Sequence, residues 1–252
     1  MMKIFYFTAT GNSLYVAKRI GGELYSIPQM MKEEQREFED EAIGFVFPCY
    51  GFGVPRMVSE FIQRSKFKAN YFFAVMTYGN IAASGLKHME QIASKANIQF
   101  NYTNEILMID NYLPGFKIEA QLEKENSKKI EEQLDQIVSD ISGRQNKLKR
   151  KGAASAVISK AIYKFFIESN YDVGDKDFIV QDNCNSCKVC EKVCPKNNIK
   201  VETKPEFLHK CDRCYACIHH CPQKAIHLKS EKSNARFINQ NVKLKEIIDA
   251  NQ

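Results

Sequence analysis

The chain has 252 residues and 44% hydrophobic content, enough for one sizeable core and a small second unit. No apolar run approaches the roughly 20 residues of a membrane-crossing helix. The short apolar patch from Ile4 to Phe7 is interrupted by Gly11-Asn12 and is no secretory core, so no membrane span and a cytoplasmic location are expected. The formal charge of +6 invites a nucleic-acid reading, but no nucleic-acid-binding motif accompanies the lysines, and no such partner is expected.

In chain order, Lys3 to Phe7 is a β-rich apolar run that ends at Thr8-Ala9-Thr10-Gly11-Asn12-Ser13. A helical pattern follows, with Leu14, Ala17 and Ile20 on one face and Gly21-Gly22 as its stop. Strand, loop and helix in that order make an anion site. Backbone N–H groups at the helix start point at a phosphate, and the hydroxyls of Thr8, Thr10 and Ser13 add donors. The loop carries no lysine, so a monophosphate fits better than a nucleoside triphosphate.

Leu24 to Ile27 is the second predicted strand, stopped by Pro28, and Gln29 to Glu41 reads as a charged loop or short helix. Ala42 to Phe47 is the third strand, apolar almost throughout, as in strands buried on both faces of a parallel sheet. It runs into Pro48-Cys49-Tyr50-Gly51-Phe52-Gly53. Pro55 then starts a helix whose Val58, Phe61 and Ile62 share a face. Tyr71 to Met76 is the fourth strand, ending at Thr77-Tyr78-Gly79-Asn80, with a helix through Leu86, Met89 and Ala93. Glu105 to Ile109 is the fifth, ending at Asp110-Asn111-Tyr112. Gln121 to Ile141 reads as one amphipathic helix, and Gly143 to Gly152 as a basic, flexible boundary. Val157, Ile158, Ala161, Ile162, Phe165 and Phe166 form an apolar face suited to packing between two units.

The T-x-T-G-N-S loop resembles the phosphate-binding loop of flavodoxins, which hold FMN. Strands that alternate with helices argue for a doubly wound parallel sheet. The resemblance implies an α/β flavodoxin-like unit over residues 1–148, with five parallel strands in the order 2-1-3-4-5 and helices on both faces. Ligands of such sheets lie at the carboxyl ends of the first and third strands. By that resemblance FMN is expected on Thr8, Thr10, Gly11, Asn12 and Ser13 at its phosphate. Pro48, Tyr50, Gly51, Gly53, Thr77, Tyr78 and Gly79 are expected at its ring, with Tyr50 or Tyr78 stacking. Gly51 and Gly53 are either plain turn residues or permit a peptide flip toward the flavin; both readings stay open. Arg56 stands where a third glycine would complete a dinucleotide fingerprint, so no NAD(P) domain is expected.

The later part of the chain writes one cysteine pattern twice. Cys184, Cys187, Cys190 and Cys194, followed by Pro195, recur as Cys211, Cys214, Cys217 and Cys221, followed by Pro222, and Ile199 recurs as Ile226. Each half is the C-x2-C-x2-C-x3-C-P run of a [4Fe-4S] site, whose fourth cysteine serves the other half's cluster. Cys184, Cys187, Cys190 and Cys221 are therefore assigned to one cluster, and Cys211, Cys214, Cys217 and Cys194 to the second. Zinc would use two separated C-x2-C hooks and leave the third cysteine of each run idle; disulfides are disfavoured without a secretory signal. Cys49, the ninth cysteine, reads as a small buried hydrophobe. His219 and His220 read as solvated loop residues, Tyr215 as packing against a cluster, and Ile199 and Ile226 as seals over the two cubes.

This segment resembles the two-cluster ferredoxins, a small α+β fold expected over 177–232, after a linker and helix over 149–176 and before a polar C-terminal tail over 233–252 with a short helical pattern at Leu244, Ile247 and Ile248. Two oxidised clusters add about -4 and an FMN phosphate about -2, which brings the loaded protein close to neutral. Lys188, Lys192, Lys196, Lys200, Lys204, Lys210 and Arg213 crowd the clusters, as a solvated face or as a docking face for an acidic redox protein, donor or acceptor. Read whole, the chain resembles proteins that fuse a flavodoxin-like domain to a two-cluster ferredoxin. That resemblance implies an intracellular electron-transfer iron–sulfur flavoprotein of anaerobic-type metabolism, moving single electrons between two [4Fe-4S] clusters and FMN. The alternative is an FMN-dependent oxidoreductase, in which Tyr50, Tyr78 or Tyr112 serves a quinone, nitro compound or free flavin. The carrier is favoured because Asp110 alone supplies an acid beside the flavin loops.

Overall fold

Six parallel strands form the main sheet of the computed structural model, which describes residues 1–149, 162–164 and 174–252. From one edge to the other they are Glu23–Ser26, Met2–Tyr6, Ala42–Pro48, Tyr71–Tyr78, Tyr102–Leu107 and Lys147–Leu148. The parallel α/β core fits a flavodoxin-like fold. Its count differs from expectation, because the short strand Lys147–Leu148 extends the order beyond five. That strand falls within the expected flexible boundary. It is two residues long, too short to carry a period, and joins the sheet by pairing with Tyr102 and Thr103.

Both faces of the sheet are covered. Ile4, Tyr6, Val46, Phe73 and Val75 pack against the helices Asn12–Ile20 and Ile130–Ser142. Phe5, Phe7, Phe45, Phe47 and Met76 pack against Arg56–Gln63 and Gly85–Lys95. Burial on both sides is why Ala42–Pro48 is apolar at nearly every position rather than at alternate ones. Gly44 in that strand is obligatory for packing: a Cβ there would fall 2.0 Å from the Phe73 ring.

Three further elements differ from expectation. The fifth strand starts at Tyr102 rather than Glu105, because the Tyr102 ring is fully buried and its hydroxyl donates to Asp140 Oδ2 at 3.1 Å. The single helix expected over Gln121 to Ile141 is broken into Ile118–Leu122, a 3-10 turn at Asn126–Lys128, and Ile130–Ser142. The break lets Lys128 turn inward and donate to Gly79 O at 2.8 Å, and Lys129 adopts a left-handed φ of 48° to restart the helix. Within the charged loop, Glu37–Glu39 pairs with Lys66–Lys68, and Phe38 stacks on Phe67.

The cysteine repeat is also a backbone repeat. Helices Val189–Lys192 and Ala216–His219 carry the third cysteine of each run, and strands Ile199–Val201 and Ile226–Leu228 follow the prolines. Left-handed residues recur in pairs at Ser186 and Arg213, Lys188 and Tyr215, and Asn197 and Lys224. Each short strand is closed by an antiparallel partner, Pro205–Phe207 for the first and Phe178–Val180 for the second.

The segment expected as a polar tail is built into the molecule. Its helix Leu244–Asn251 buries Ile247 and Ala250 in the first layer of the sheet core. Ser26 donates its hydroxyl proton to Ala250 O, while Asn251 Nδ2 reaches Val193 O at 3.1 Å and Gln252 Nε2 reaches Lys192 O at 2.9 Å. The strap thus touches the first sheet and the first cysteine run together. Its polar composition hides this, because the anchoring contacts are hydrogen bonds to backbone. Val157, Ile158, Ala161, Phe165 and Phe166 lie outside the described residues, as does most of the 149–176 connection. Among the described residues no helix is long and apolar enough to cross a membrane.

Candidate functional site

The eight repeated cysteines line two hollows. The first, of about 300 Å³ counting the part open to solvent, is lined by Cys184, Cys187 and Cys190 from one run and Cys221 from the other, with Ile226 at its wall. The second, of about 330 Å³ on the same measure, is lined by Cys211, Cys214 and Cys217 with Cys194, and by Ile199. Each therefore draws three thiols from its own loop and one from the opposite half. The left-handed residues between the cysteines produce this, since each turns the loop so that successive thiols face inward.

The thiols surround space instead of converging on a point. Among the described residues no group of three or more His, Cys, Asp or Glu side chains is placed to hold a single metal ion. That arrangement fits a multi-atom cluster and does not fit one tetrahedral zinc. Burial pushes the Cys190 and Cys211 thiols up to about 12, and pushes Cys214 and Cys217 well above the usual thiol range. Such thiols stay protonated until a cation enters, so loading the hollows releases protons.

The hollows differ in setting. Cys187 is exposed and its neighbours Lys188, Pro222 and Gln223 face solvent, so the first hollow lies at the surface. The second is set against the sheet: Cys217 and Tyr215 are buried, and Cys214 packs against both layers of the sheet core. Of the expected basic face, Lys188, Lys192, Lys200, Lys204 and Lys210 are exposed. Lys196 lies 3.9 Å from Asp212, and Arg213 pairs with Asp177 at 3.3 Å.

His219 and His220 are not solvated, contrary to expectation; they are 2% and 3% exposed. His219 Nδ1 accepts from Phe237 N–H at 3.1 Å, so Nε2 carries the proton and donates to Asn111 O at 3.0 Å. His220 Nε2 donates to Ala9 O, also at 3.0 Å. Burial pushes His219 down to about 3 and lowers His220, so both act as neutral donors. They join the second cysteine run to the loops that follow the first and fifth long strands of the sheet.

Those loops gather at the carboxyl ends of the strands. Ser13 Oγ lies 3.0 Å from Thr77 Oγ1, Asn12 Nδ2 donates to Ile109 O at 3.2 Å, and Asn111 Nδ2 donates to Thr10 Oγ1 at 2.6 Å. Gly11 N–H donates to Thr8 Oγ1 at 3.1 Å. The Thr8 and Thr10 hydroxyls thus each accept one bond and keep the O–H proton, and one proton of the Ser13–Thr77 pair is also left to give. All four side chains are 3% exposed or less. O–H donors that are buried and have no acceptor among the described residues, at the start of a helix, suit an anion such as a phosphate monoester. The outer side of the loop is held by the C-terminal strap. Asn239 N–H donates to Thr10 O at 2.8 Å, and Asn239 Nδ2 to Asn12 Oδ1 at 3.0 Å.

The glycines have packing reasons. A Cβ on Gly53 would meet the Tyr163 ring at 2.3 Å, and Tyr163 donates its hydroxyl to Val54 O at 2.7 Å. A Cβ on Gly79 would meet Asp110 at 2.2 Å. Burial raises the Asp110 carboxyl, against hydrogen bonds from Tyr112 N–H and Asn80 and the nearby Lys128 ammonium. Cys49 is half-buried and points its thiol at Ala82 O. Sequence reasoning missed Asn111, Tyr163 and Asn239 as site residues. Their signal is contact across the fold, and nothing local marks them.

No family model matches the chain. Over 57 residues it is 35% identical to pyruvate synthase subunit PorD of Methanothermobacter marburgensis, a match that covers 69% of that subunit and 23% of this chain. Over that stretch the chain belongs to the PorD family. It is also 42% identical over 66 residues to a subunit of the ion-translocating oxidoreductase complex of Methanosarcina acetivorans, 24% of each protein. The chain therefore spans about a quarter of that relative's length. Both relatives are named as subunits, one of an oxidoreductase complex and one of a pyruvate synthase. A crystal structure from Bacteroides uniformis, named as a flavoprotein, superposes with a TM-score of 0.33 at 16% identity, over 48% of this chain and 95% of the other. That overlap is too loose to bear on function. The PorD match leaves the greater part of the chain to be argued from its own residues.

Proposed function

We propose that this chain is an iron–sulfur flavoprotein that passes single electrons between two [4Fe-4S] clusters and FMN. One observation carries the reading: two hollows, each lined by three thiols of one run and the fourth of the other. Clusters cycle one electron each and a flavin one or two, so joining them pairs single electrons. Cys184, Cys187, Cys190 and Cys221 would hold the outer cluster, and Cys211, Cys214, Cys217 and Cys194 the inner one. Thr8, Thr10 and Ser13 would hold the FMN phosphate, with Asn12 and Gly11 shaping the loop. The ring would lie among Pro48, Tyr50, Gly51, Gly53, Thr77, Tyr78 and Gly79.

The placement supports a relay. The exposed lysines beside Cys187 offer an acidic redox protein a docking face at the outer hollow. Cys214 sets the inner hollow against the strand ends where the loops gather. We assign the FMN unit to 1–148, the connection to 149–176, the cluster unit to 177–232 and the strap to 233–252. Anaerobic purification with iron, sulfide and FMN counted per chain tests the reading. About eight irons, eight sulfides and one FMN are expected; zinc in place of iron, or a chain that neither retains nor rebinds FMN, overturns it.

A further inference from the structure

Tyr50 stands just past the end of the strand Ala42–Pro48, where the chain doubles back at once. Its N–H donates to Gly53 O at 3.0 Å and Gly53 N–H returns to Tyr50 O at 2.9 Å, with Gly51 at φ 52° and Phe52 at φ 69°. Two successive left-handed residues make a type I′ turn, the tightest hairpin connection, and it fixes the direction in which the Tyr50 side chain leaves the backbone. The ring then meets Phe7 edge to face, with centroids 6.2 Å apart at 78°.

The Tyr50 hydroxyl is buried and has no hydrogen-bond partner among the described residues. A buried hydroxyl left unpaired is destabilising, and phenylalanine would fill the same space without that cost. Burial raises its pKa well above the usual phenol range, and after burial the charges that act on it are those of Cys214, Asp212, Tyr215 and Cys211. All four line the inner hollow, and Cys214 packs against the same aromatic layer as Tyr50. The acceptor missing from the protein therefore belongs in that hollow. Cluster sulfur, whether thiolate or sulfide, is an acceptor that gains strength as the cluster gains charge.

We propose that the Tyr50 hydroxyl donates a hydrogen bond to sulfur of the inner cluster and thereby raises its reduction potential relative to a phenylalanine at the same place. This rests on the reading that the hollows hold [4Fe-4S] clusters. Hydrogen bonds to cluster sulfur favour the more negative, reduced state, which is the lever by which proteins shift such potentials. Tyr50 is a positioning residue in this account. It also supplies the contact through which the strand ends meet the inner cluster, so the expected stacking role on a flavin is not its first duty.

The test is an anaerobic redox titration of the loaded full-length protein, wild type and Tyr50→Phe, followed by electron paramagnetic resonance. The proposal expects one cluster midpoint to move to more negative potential and the other to stay. It also expects a hyperfine coupling to a proton exchangeable in deuterium oxide in the wild type, lost in the variant. Unmoved midpoints, both midpoints moving together, or a coupling that survives in the variant overturns it. Loss of FMN with both midpoints unmoved assigns the hydroxyl to the flavin and overturns it too. If the variant fails to fold, the wild-type coupling decides alone: its absence refutes the proposal. A wild type that assembles no clusters sinks the proposed function with it, whereas a wild type with both clusters and no response to Tyr50→Phe sinks only this inference.

Discussion

His220 Nε2 donates a hydrogen bond to the backbone carbonyl of Ala9 at 3.0 Å, across 211 residues of chain. Both groups are buried, so neither has water as an alternative partner. Removing the imidazole leaves a buried carbonyl unpaired and a gap beside it. His220→Ala is expected to cost about 1–3 kcal/mol of stability. It should also speed amide exchange in residues 8–13 more than in the strand Tyr71–Tyr78. Unchanged exchange in the loop would show that the histidine does not hold it.

The exchange of cysteines between the two runs makes a pairing prediction. Cys221→Ala and Cys187→Ala both strip the outer hollow, so each single variant and the double variant should retain about four irons of eight. Cys187→Ala combined with Cys194→Ala should retain almost none, because those residues line different hollows. If instead the Cys187→Ala, Cys194→Ala double variant keeps four irons, the fourth ligand comes from within the same run.

The thiols of the two hollows are legible in the sequence because what brings them together is local. Three thiols at three-residue steps can face one cube only if the loop between them turns tightly, and sequence spacing records that directly. The strand-end loops are legible for a similar reason: a small polar run between an apolar strand and an amphipathic helix is a local signal. The burial of His219 and His220 is hidden because their partners, Asn111 and Ala9, lie in another part of the fold. A histidine beside a cysteine looks polar and solvated until its acceptor is known. The helix break at Lys128 is hidden for the opposite reason: the apolar period runs through it, and what bends the chain is a single lysine reaching Gly79 O. Asn239 is invisible because an asparagine in a polar stretch is the most ordinary residue that could stand there.

A pH prediction rests on Glu231, which is 8% exposed at its side chain and accepts from Leu228 N–H at 3.0 Å, from the His227 ring at 2.6 Å and from Arg236 Nη2 at 3.0 Å. Burial works to raise its carboxyl, but these donors outweigh burial and hold it below the usual 4.5. A depressed native pKa means that the stabilisation is complete above about 4.5 and is lost as the pH falls through the native value. Glu231→Gln leaves Arg236, 5% exposed at its side chain, without a counter-charge. It should lower stability at pH 7 by about 1–3 kcal/mol. Denaturant midpoints measured from pH 6 downward should fall less steeply in the variant than in the wild type; equal slopes would remove Glu231 from the acid transition.

The hydroxyls of the first loop make the most discriminating prediction about the ligand. Thr10 accepts from Asn111 and keeps its own proton, and the Ser13–Thr77 pair has one proton left over after the bond between them. What they have left to give is a proton to an anion. A hydrogen bond to a charged group contributes about 1.5–3 kcal/mol, so Ser13→Ala and Thr10→Val are each expected to weaken FMN binding roughly 10- to 100-fold. Riboflavin has the same ring without the phosphate and should bind wild type and variants alike. Fluorescence quenching titrations of the deflavinated protein with both ligands separate the contributions. Equal losses for FMN and riboflavin would place Thr10 and Ser13 at the ring or in the frame of the loop, and unchanged FMN affinity would move the phosphate elsewhere. Thr77→Ala serves as the internal comparison: it frees the Ser13 proton to point at the ligand, so its effect on FMN should be smaller than that of Ser13→Ala.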